Sequence, residues 1–158
     1  MVQNVLALKL NGIFKQMIKE RHRELYFNIA KDLAEMSYDP DTQVGCVLVK
    51  DSQVISQGWN GTSDIDDNQC KDSAGHTLDT VIHAEMNCIC RCTKKGISTE
   101  GAAMFLTHSP CFNCAKMIYL AGIKEVYYIN EWKDSKPLEY LKKHGIKLYK
   151  KEANEKTY

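Results

Sequence analysis

Across residues 21–36, apolar side chains recur at Leu25, Ile29, Leu33 and Met36, one helical stripe, and Asp39-Pro40-Asp41 ends it and turns the chain. An unbroken apolar run over 44–49 reads as a buried strand, and Lys50-Asp51-Ser52 turns it into a second strand ending near Gly58-Trp59. Residues 61–80 are polar, with Asp64, Asp66, Asp67 and Asp72. Loops of that length inside a compact domain tend to be functional or disordered. Over 82–95, Ile82, Met86, Ile89 and Cys90 recur with helical spacing and predict a helix with one buried face. The remaining pattern predicts a strand over 102–107, a helix from Cys111 to a stop at Gly122, a strand over 125–129, a helix over 135–144 and a short strand over 146–149. Helices alternating with strands predict an α/β chain, a three-layer α/β/α sandwich around a central mixed sheet of about five strands. Residues 1–20 fit this scheme poorly, because Asn11-Gly12 interrupts their apolar positions. They are assigned as an N-terminal extension to a single domain over 21–158.

Composition narrows the class. A chain of 158 residues with 44% hydrophobic content can bury one core. Twenty-one Lys and Arg against twenty Asp and Glu leave a formal net charge of +1, without the basic bias of a dedicated nucleic-acid binder. Lys142, Lys143, Lys150 and Lys151 near the C-terminus read as a solvated face. Seven cysteines without a charged-then-apolar signal segment point to a reducing compartment, and no apolar run approaches the ~20 residues that span a bilayer. The expectation is a cytoplasmic protein without membrane association.

Two short stretches carry the chemistry, His83-Ala84-Glu85 and Pro110-Cys111-Phe112-Asn113-Cys114. Helix starts at both places put His83 and Glu85 in one first turn and Cys111 and Cys114 on one face of another, with Pro110 suited to the first turn. One imidazole and two thiolates suit zinc, and three ligands rather than four leave a position open for water. The helix N-terminus and the metal both favour thiolate over thiol. Glu85 reads as the proton carrier beside that position. Either stretch alone would be weak, since C-x-x-C also marks redox pairs and a helical His is commonly just packed. Cys70 and His76, with or without Cys46, make only an incomplete second zinc site, because no fourth ligand is identifiable. A packed thiol and a surface imidazole are the simpler expectation there. Cys88, Cys90 and Cys92 read as small helix residues pointing in different directions. His108 reads as a neighbour of the metal motif, and His22 and His144 as surface residues.

His83-x-Glu85 followed by Pro110-Cys111-x-x-Cys114 resembles the zinc deaminase signature. Thr42-Gln43-Val44-Gly45, Gly58-Trp59-Asn60-Gly61, Asn87 after the His-Ala-Glu core, and Ser109-Pro110 narrow the resemblance to the deoxycytidylate (dCMP) deaminases of the cytidine deaminase-like superfamily. It runs from about Leu25 to Tyr149. It implies the cytidine deaminase-like fold and hydrolysis of dCMP to dUMP and ammonia, feeding thymidylate synthesis. It also implies a homohexamer activated by dCTP and inhibited by dTTP, with Mg2+ accompanying the effector. The effector site it implies is Gly58, Trp59, Asn60 and Gly61. For the substrate it implies Asn60, the backbone at Ala84, and Ser109. Where the family often carries an Arg near the substrate phosphate, eleven residues after the metal His, this chain has Lys94. Lysine keeps the charge and loses the bidentate fork, and Arg91 one turn earlier is a second candidate. Trp132 stands where a Tyr is common, keeping a pocket-lining ring without the phenol.

Two other classes compete. One is a deaminase of tRNA adenosine, free cytosine or a riboflavin-pathway pyrimidine, against which stand Gly61, Asn87 and the balanced charge. The other is a non-catalytic zinc- or nucleotide-binding module, against which stand Glu85 and the open coordination position.

Overall fold

The computed structural model describes residues 18–152. Most of the expected 1–20 extension therefore lies outside the described residues. Four helices and five strands follow in the order α1 (Glu20–Ala34), β1 (Gly45–Lys50), β2 (Gln53–Trp59), α2 (Ala84–Lys94), β3 (Ala103–His108), α3 (Phe112–Leu120), β4 (Glu125–Asn130), α4 (Lys136–Lys143) and β5 (Lys147–Lys150). They form one five-stranded sheet in the order β2-β1-β3-β4-β5. β1 is antiparallel to both β2 and β3, while β3, β4 and β5 run parallel, so the sheet is mixed.

Alternation along the central strands builds two cores. Cys46 and Leu48, Met104 and Leu106, and Val126 and Tyr128 face α2, α3 and α4. The intervening Val47 and Val49, Ala103 and Phe105, and Tyr127 face α1. Strands covered on both faces read as continuous apolar runs rather than as alternation, which is why 44–49 looked uniformly buried. On the α1 side Phe105 stacks on Tyr127 at 4.4 Å between centroids, and Tyr127 stacks on Tyr149 at 4.5 Å. This is the predicted three-layer sandwich. Among the described residues no helix is long and apolar enough to cross a membrane.

Both amphipathic helices are where the spacing places them, but the buried face of each is rotated from the expected stripe, which keeps Leu33 buried and leaves Ile29 and Ile89 partly buried against the cores. On α1 the buried residues are Tyr26, Phe27, Ala30, Leu33 and Ala34, while Leu25 and Met36 are exposed. On α2 they are Ala84, Glu85, Cys88 and Cys92, while Met86 and Cys90 face outward. Close approach explains the second case. A Cβ on Gly58 of β2 would stand 2.7 Å from the Ala84 carbonyl oxygen and 2.8 Å from the Cys88 nitrogen. A helix that near the sheet has room directly beneath it for Ala and Cys, while Ile89 packs at the margin of the core and Met86 stays outside. Cys88 and Cys92 thus share a face, and Cys90 points away from them.

The strand order gathers one end of the sheet. There the start of β1 meets the end of β2 and the end of β3, and Gly45 N–H donates to Thr107 Oγ1 at 3.1 Å. The loop between β2 and α2 contains no helix or strand of its own. It is tied by backbone pairing of Gly61 with Ile82 and of Lys71 with Thr77.

Candidate active site

His83 and Cys111 are the residues on which α2 and α3 begin, each extended in backbone and each directly preceding the first helical residue. Pro110 therefore lies just outside the helix rather than in its first turn. It stands before Cys111 and is fully buried, fixing how the chain leaves β3. From these two helix starts His83 Nδ1 stands 3.5 Å from Cys111 Sγ and 3.5 Å from Cys114 Sγ. The donor atoms of the three residues all lie within 4.8 Å of one another. They form the one such His/Cys/Asp/Glu group of three or more among the described residues. Ligand bonds of about 2.3 Å to sulfur and about 2.05 Å to nitrogen at a tetrahedral angle place N and S about 3.6 Å apart. The triangle thus has the size a tetrahedral zinc needs, and its donor chemistry fits zinc.

The charges around the triangle follow from who donates to whom. A hydrogen bond from the Cys114 thiol, helped by His83 and by the Cys114 N–H, pulls Cys111 down to about 3. The same bond, seen from its donor, pushes Cys114 far up, together with burial and the nearby Glu85 and Cys111 charges. Without metal the pair therefore holds one thiolate and one thiol, and a bound cation has to displace the Cys114 proton. His83 is raised, chiefly by its hydrogen bond to Cys111. Glu85 is 4% exposed, and burial raises its carboxyl. A carboxyl poised to hold a proton beside an open metal position is what acid–base work requires.

A cavity of about 240 Å³ opens over this group and is lined by His83, Ala84, Glu85 and Cys111. Asn60, Ser109 and Trp132 line it too. Asn60 is buried and locked by the chain start of β1: its Oδ1 accepts from Val44 N–H at 2.8 Å, and its Nδ2 donates to the Thr42 carbonyl at 2.9 Å. Ser109 Oγ accepts from Trp132 N–H at 3.0 Å, which anchors the segment carrying that indole.

Arg91 and Lys94 do not line this cavity. α2 starts at the site and runs away from it, so at 1.5 Å per residue Lys94 lies about 15 Å along the axis from Ala84. Arg91 instead holds its guanidinium 4.9 Å over the Trp59 ring and donates to the Gln57 carbonyl at 3.4 Å. Of residues 58–61 only Asn60 lines the cavity. Gly58 lies beneath α2, Trp59 packs beside the α1-side core with its carbonyl accepting from Asn87 Nδ2 at 3.1 Å, and Gly61 pairs with Ile82. The Gly-aromatic-Asn-Gly stretch and Asn87 thus act together in seating α2 on the sheet.

His108, read as a neighbour of the metal motif, lines the cavity with its ring stacked on Trp132, 4.8 Å between centroids, and burial pulls its imidazole down toward the neutral form. Sequence reasoning missed the other wall residues: Asp39, Thr42, Val44, Lys71, Thr77 and Val81 complete the lining. Two of these, Lys71 and Thr77, come from the long polar loop over 61–80, whose length was its only signal. Cys70 and His76 are not brought together as ligands. Cys70 is buried with its thiol 3.6 Å from the Asn68 carbonyl, whereas the His76 side chain is 80% exposed and pairs with Asp72.

The model of the cytidine and deoxycytidylate deaminase zinc-binding region matches residues 20–130. ComE operon protein 2 of Bacillus subtilis is 42% identical over 105 residues, covering 64% of this chain and 55% of the relative. Human deoxycytidylate deaminase is 34% identical over 120 residues, covering 68% of this chain and 64% of the relative. The chain therefore spans a little over half to about two thirds of these relatives' lengths. Among solved structures, the dCMP deaminase of cyanophage S-TIM5, in complex with dCMP and dUMP, superposes with a TM-score of 0.82 at 35% identity. That match covers 85% of this chain and 99% of the phage chain. With the matched region running from the first residue of α1 to the last of β4 and enclosing all three candidate ligands, the chain belongs to the cytidine and deoxycytidylate deaminase family.

Proposed function

We propose that the chain hydrolyses dCMP to dUMP and ammonia, with zinc held by His83, Cys111 and Cys114. The observation that carries this is the tetrahedral-sized ligand triangle beside a buried Glu85 at the wall of one cavity. The likeness to the phage enzyme, whose structure holds dCMP and dUMP, supports the substrate. Zinc there would supply a Lewis acid that brings the pKa of water from ~16 to ~7. Glu85 takes a proton from the attacking water as the water's oxygen bonds to C4 of the cytosine ring. It delivers that proton to N3, then takes the second water proton from the C4 hydroxyl as the carbonyl forms and gives it to the departing amine, and the C4–N bond breaks to release ammonia. Burial suits Glu85 to both directions of transfer, because it brings the acid and its conjugate base closer in free energy near neutral pH.

The Ala84 backbone, Ser109, Asn60 and Trp132 form the substrate wall in this reading. Supported by the resemblance of residues 58–61 and Asn87 to the dCMP deaminases, it extends to a cytoplasmic homohexamer. In that assembly dCTP activates and dTTP inhibits at Gly58, Trp59, Asn60 and Gly61, with Mg2+ accompanying the effector. The experiment is ammonia release from zinc-loaded protein offered dCMP, deoxycytidine, cytosine and a tRNA anticodon stem, each with and without dCTP and dTTP. Turnover confined to dCMP, raised by dCTP and cut by dTTP, is the expected result. Turnover of tRNA or free base sinks the substrate, and silence on all four sinks the enzyme.

A further inference from the structure

Among the described residues lining the cavity, Lys71 is the only lysine or arginine. It stands in the long loop between β2 and α2, where its backbone pairs with Thr77. Its Nζ donates to Thr77 Oγ1 at 3.0 Å and lies 3.5 Å from Asp39 Oδ2 and 3.6 Å from Asp41 Oδ2. An ammonium has three donors. One is spent on Thr77, and the carboxylates stand at or past the outer edge of hydrogen-bonding distance. The one side-chain hydrogen bond of Lys71 is thus to Thr77, and the two looser ion pairs are the contacts an incoming anion would share. Asp39 is a fixed part of the wall, 3% exposed, with Oδ1 accepting from the N–H groups of Asp41 and Thr42 at 2.9 Å each. It steers Lys71 without saturating it. Asp41 is 64% exposed, so solvent and salt screen its charge.

We propose that Lys71, with the Thr77 hydroxyl beside it, receives the 5′-monophosphate of the substrate and makes the enzyme select a nucleotide over a nucleoside. This rests on the dCMP reading above. A nucleotide with its base at Glu85 that keeps its phosphate within the cavity meets Lys71 as the one lysine or arginine lining it among the described residues. Arg91 and Lys94, the cations that the family resemblance favoured, do not line the cavity, because the axis of α2 runs away from it. The polar loop is thereby the element that reads phosphorylation.

The test measures kcat and KM for dCMP and for deoxycytidine with zinc-loaded wild type, Lys71→Met, Lys71→Arg and Lys94→Ala, with a thermal melt of each. Wild type is expected to prefer dCMP. Lys71→Met is expected to lower kcat/KM for dCMP about 10- to 100-fold, the range for losing a charged hydrogen bond. The loss should fall mainly on KM and leave deoxycytidine turnover unchanged, and Lys71→Arg should recover most of it. A Lys71→Met enzyme that keeps the wild-type preference, or that loses both substrates equally, overturns the assignment. So does a Lys94→Ala enzyme that erases the preference. A wild type that turns over deoxycytidine as well as dCMP overturns the dCMP reading itself, and the Lys71 assignment with it.

Discussion

Replacing Glu85 by Gln keeps the shape of a buried side chain and removes its ability to carry a proton. Glu85 is 4% exposed and lines the cavity beside His83 and Cys111. It is not one of the three residues of the ligand triangle, so zinc content should stay at the wild-type value. General acid–base catalysis by one side chain is worth about 10²- to 10⁴-fold. In the proposed reaction one carboxyl serves the water, N3 and the leaving amine in turn, which places the loss at the upper end, about 10⁴-fold in kcat or about 5.4 kcal/mol. Steady-state ammonia release, with metal analysis of the same samples, reads both quantities. Stability should move the opposite way. Burial raises the Glu85 carboxyl above its ordinary 4.5. Between those two values the folded chain binds more protons than the unfolded chain, so stability falls as pH rises through the window. Zinc-stripped Glu85→Gln should therefore melt with wild type below pH 4.5 and above wild type at pH 8. A zinc-replete variant with kcat within tenfold of wild type would refute Glu85 as the proton carrier. A variant melting lower than wild type at pH 8 would refute the account of its burial.

Two further outcomes test the site's construction. In zinc-stripped protein Cys111, pulled down to about 3, should be alkylated by iodoacetamide ahead of Cys114 at a rate flat from pH 6 to 9, and zinc should block the reaction; peptide mapping reads this, and preferential labelling of Cys114 would reverse the proton assignment within the pair. Gly58→Ala should lose about 1–3 kcal/mol to overpacking, because its Cβ would press on the Ala84 carbonyl at 2.7 Å. That is about 2–12 °C in Tm for a chain of this size, and an unchanged melting curve would mean α2 does not sit as close to β2 as argued.

The order of elements was legible because it depends on spacing a few residues long. Uniform apolar runs marked strands covered on both faces, and Gly122 and Asp39-Pro40-Asp41 marked the stops. The ligand set was legible for the same reason, since His83 with Glu85, and Cys111 with Cys114, each fall within one helical turn. Helical spacing, however, shows that a stripe exists and does not choose among stripes. On α2 the inward stripe is Ala84, Cys88 and Cys92 because Gly58 lets the helix press on the sheet, a contact made across the β2–α2 loop. By itself, then, the sequence determined the α/β class, the three candidate metal ligands and the carboxylate beside them, all of which local chain geometry constrains. Only the tertiary structure decided that Lys71, Thr77 and Asp39 line the cavity while Arg91 and Lys94 do not. The reason is that the β2-β1-β3-β4-β5 order and the direction of the α2 axis are set by packing between segments far apart in the chain.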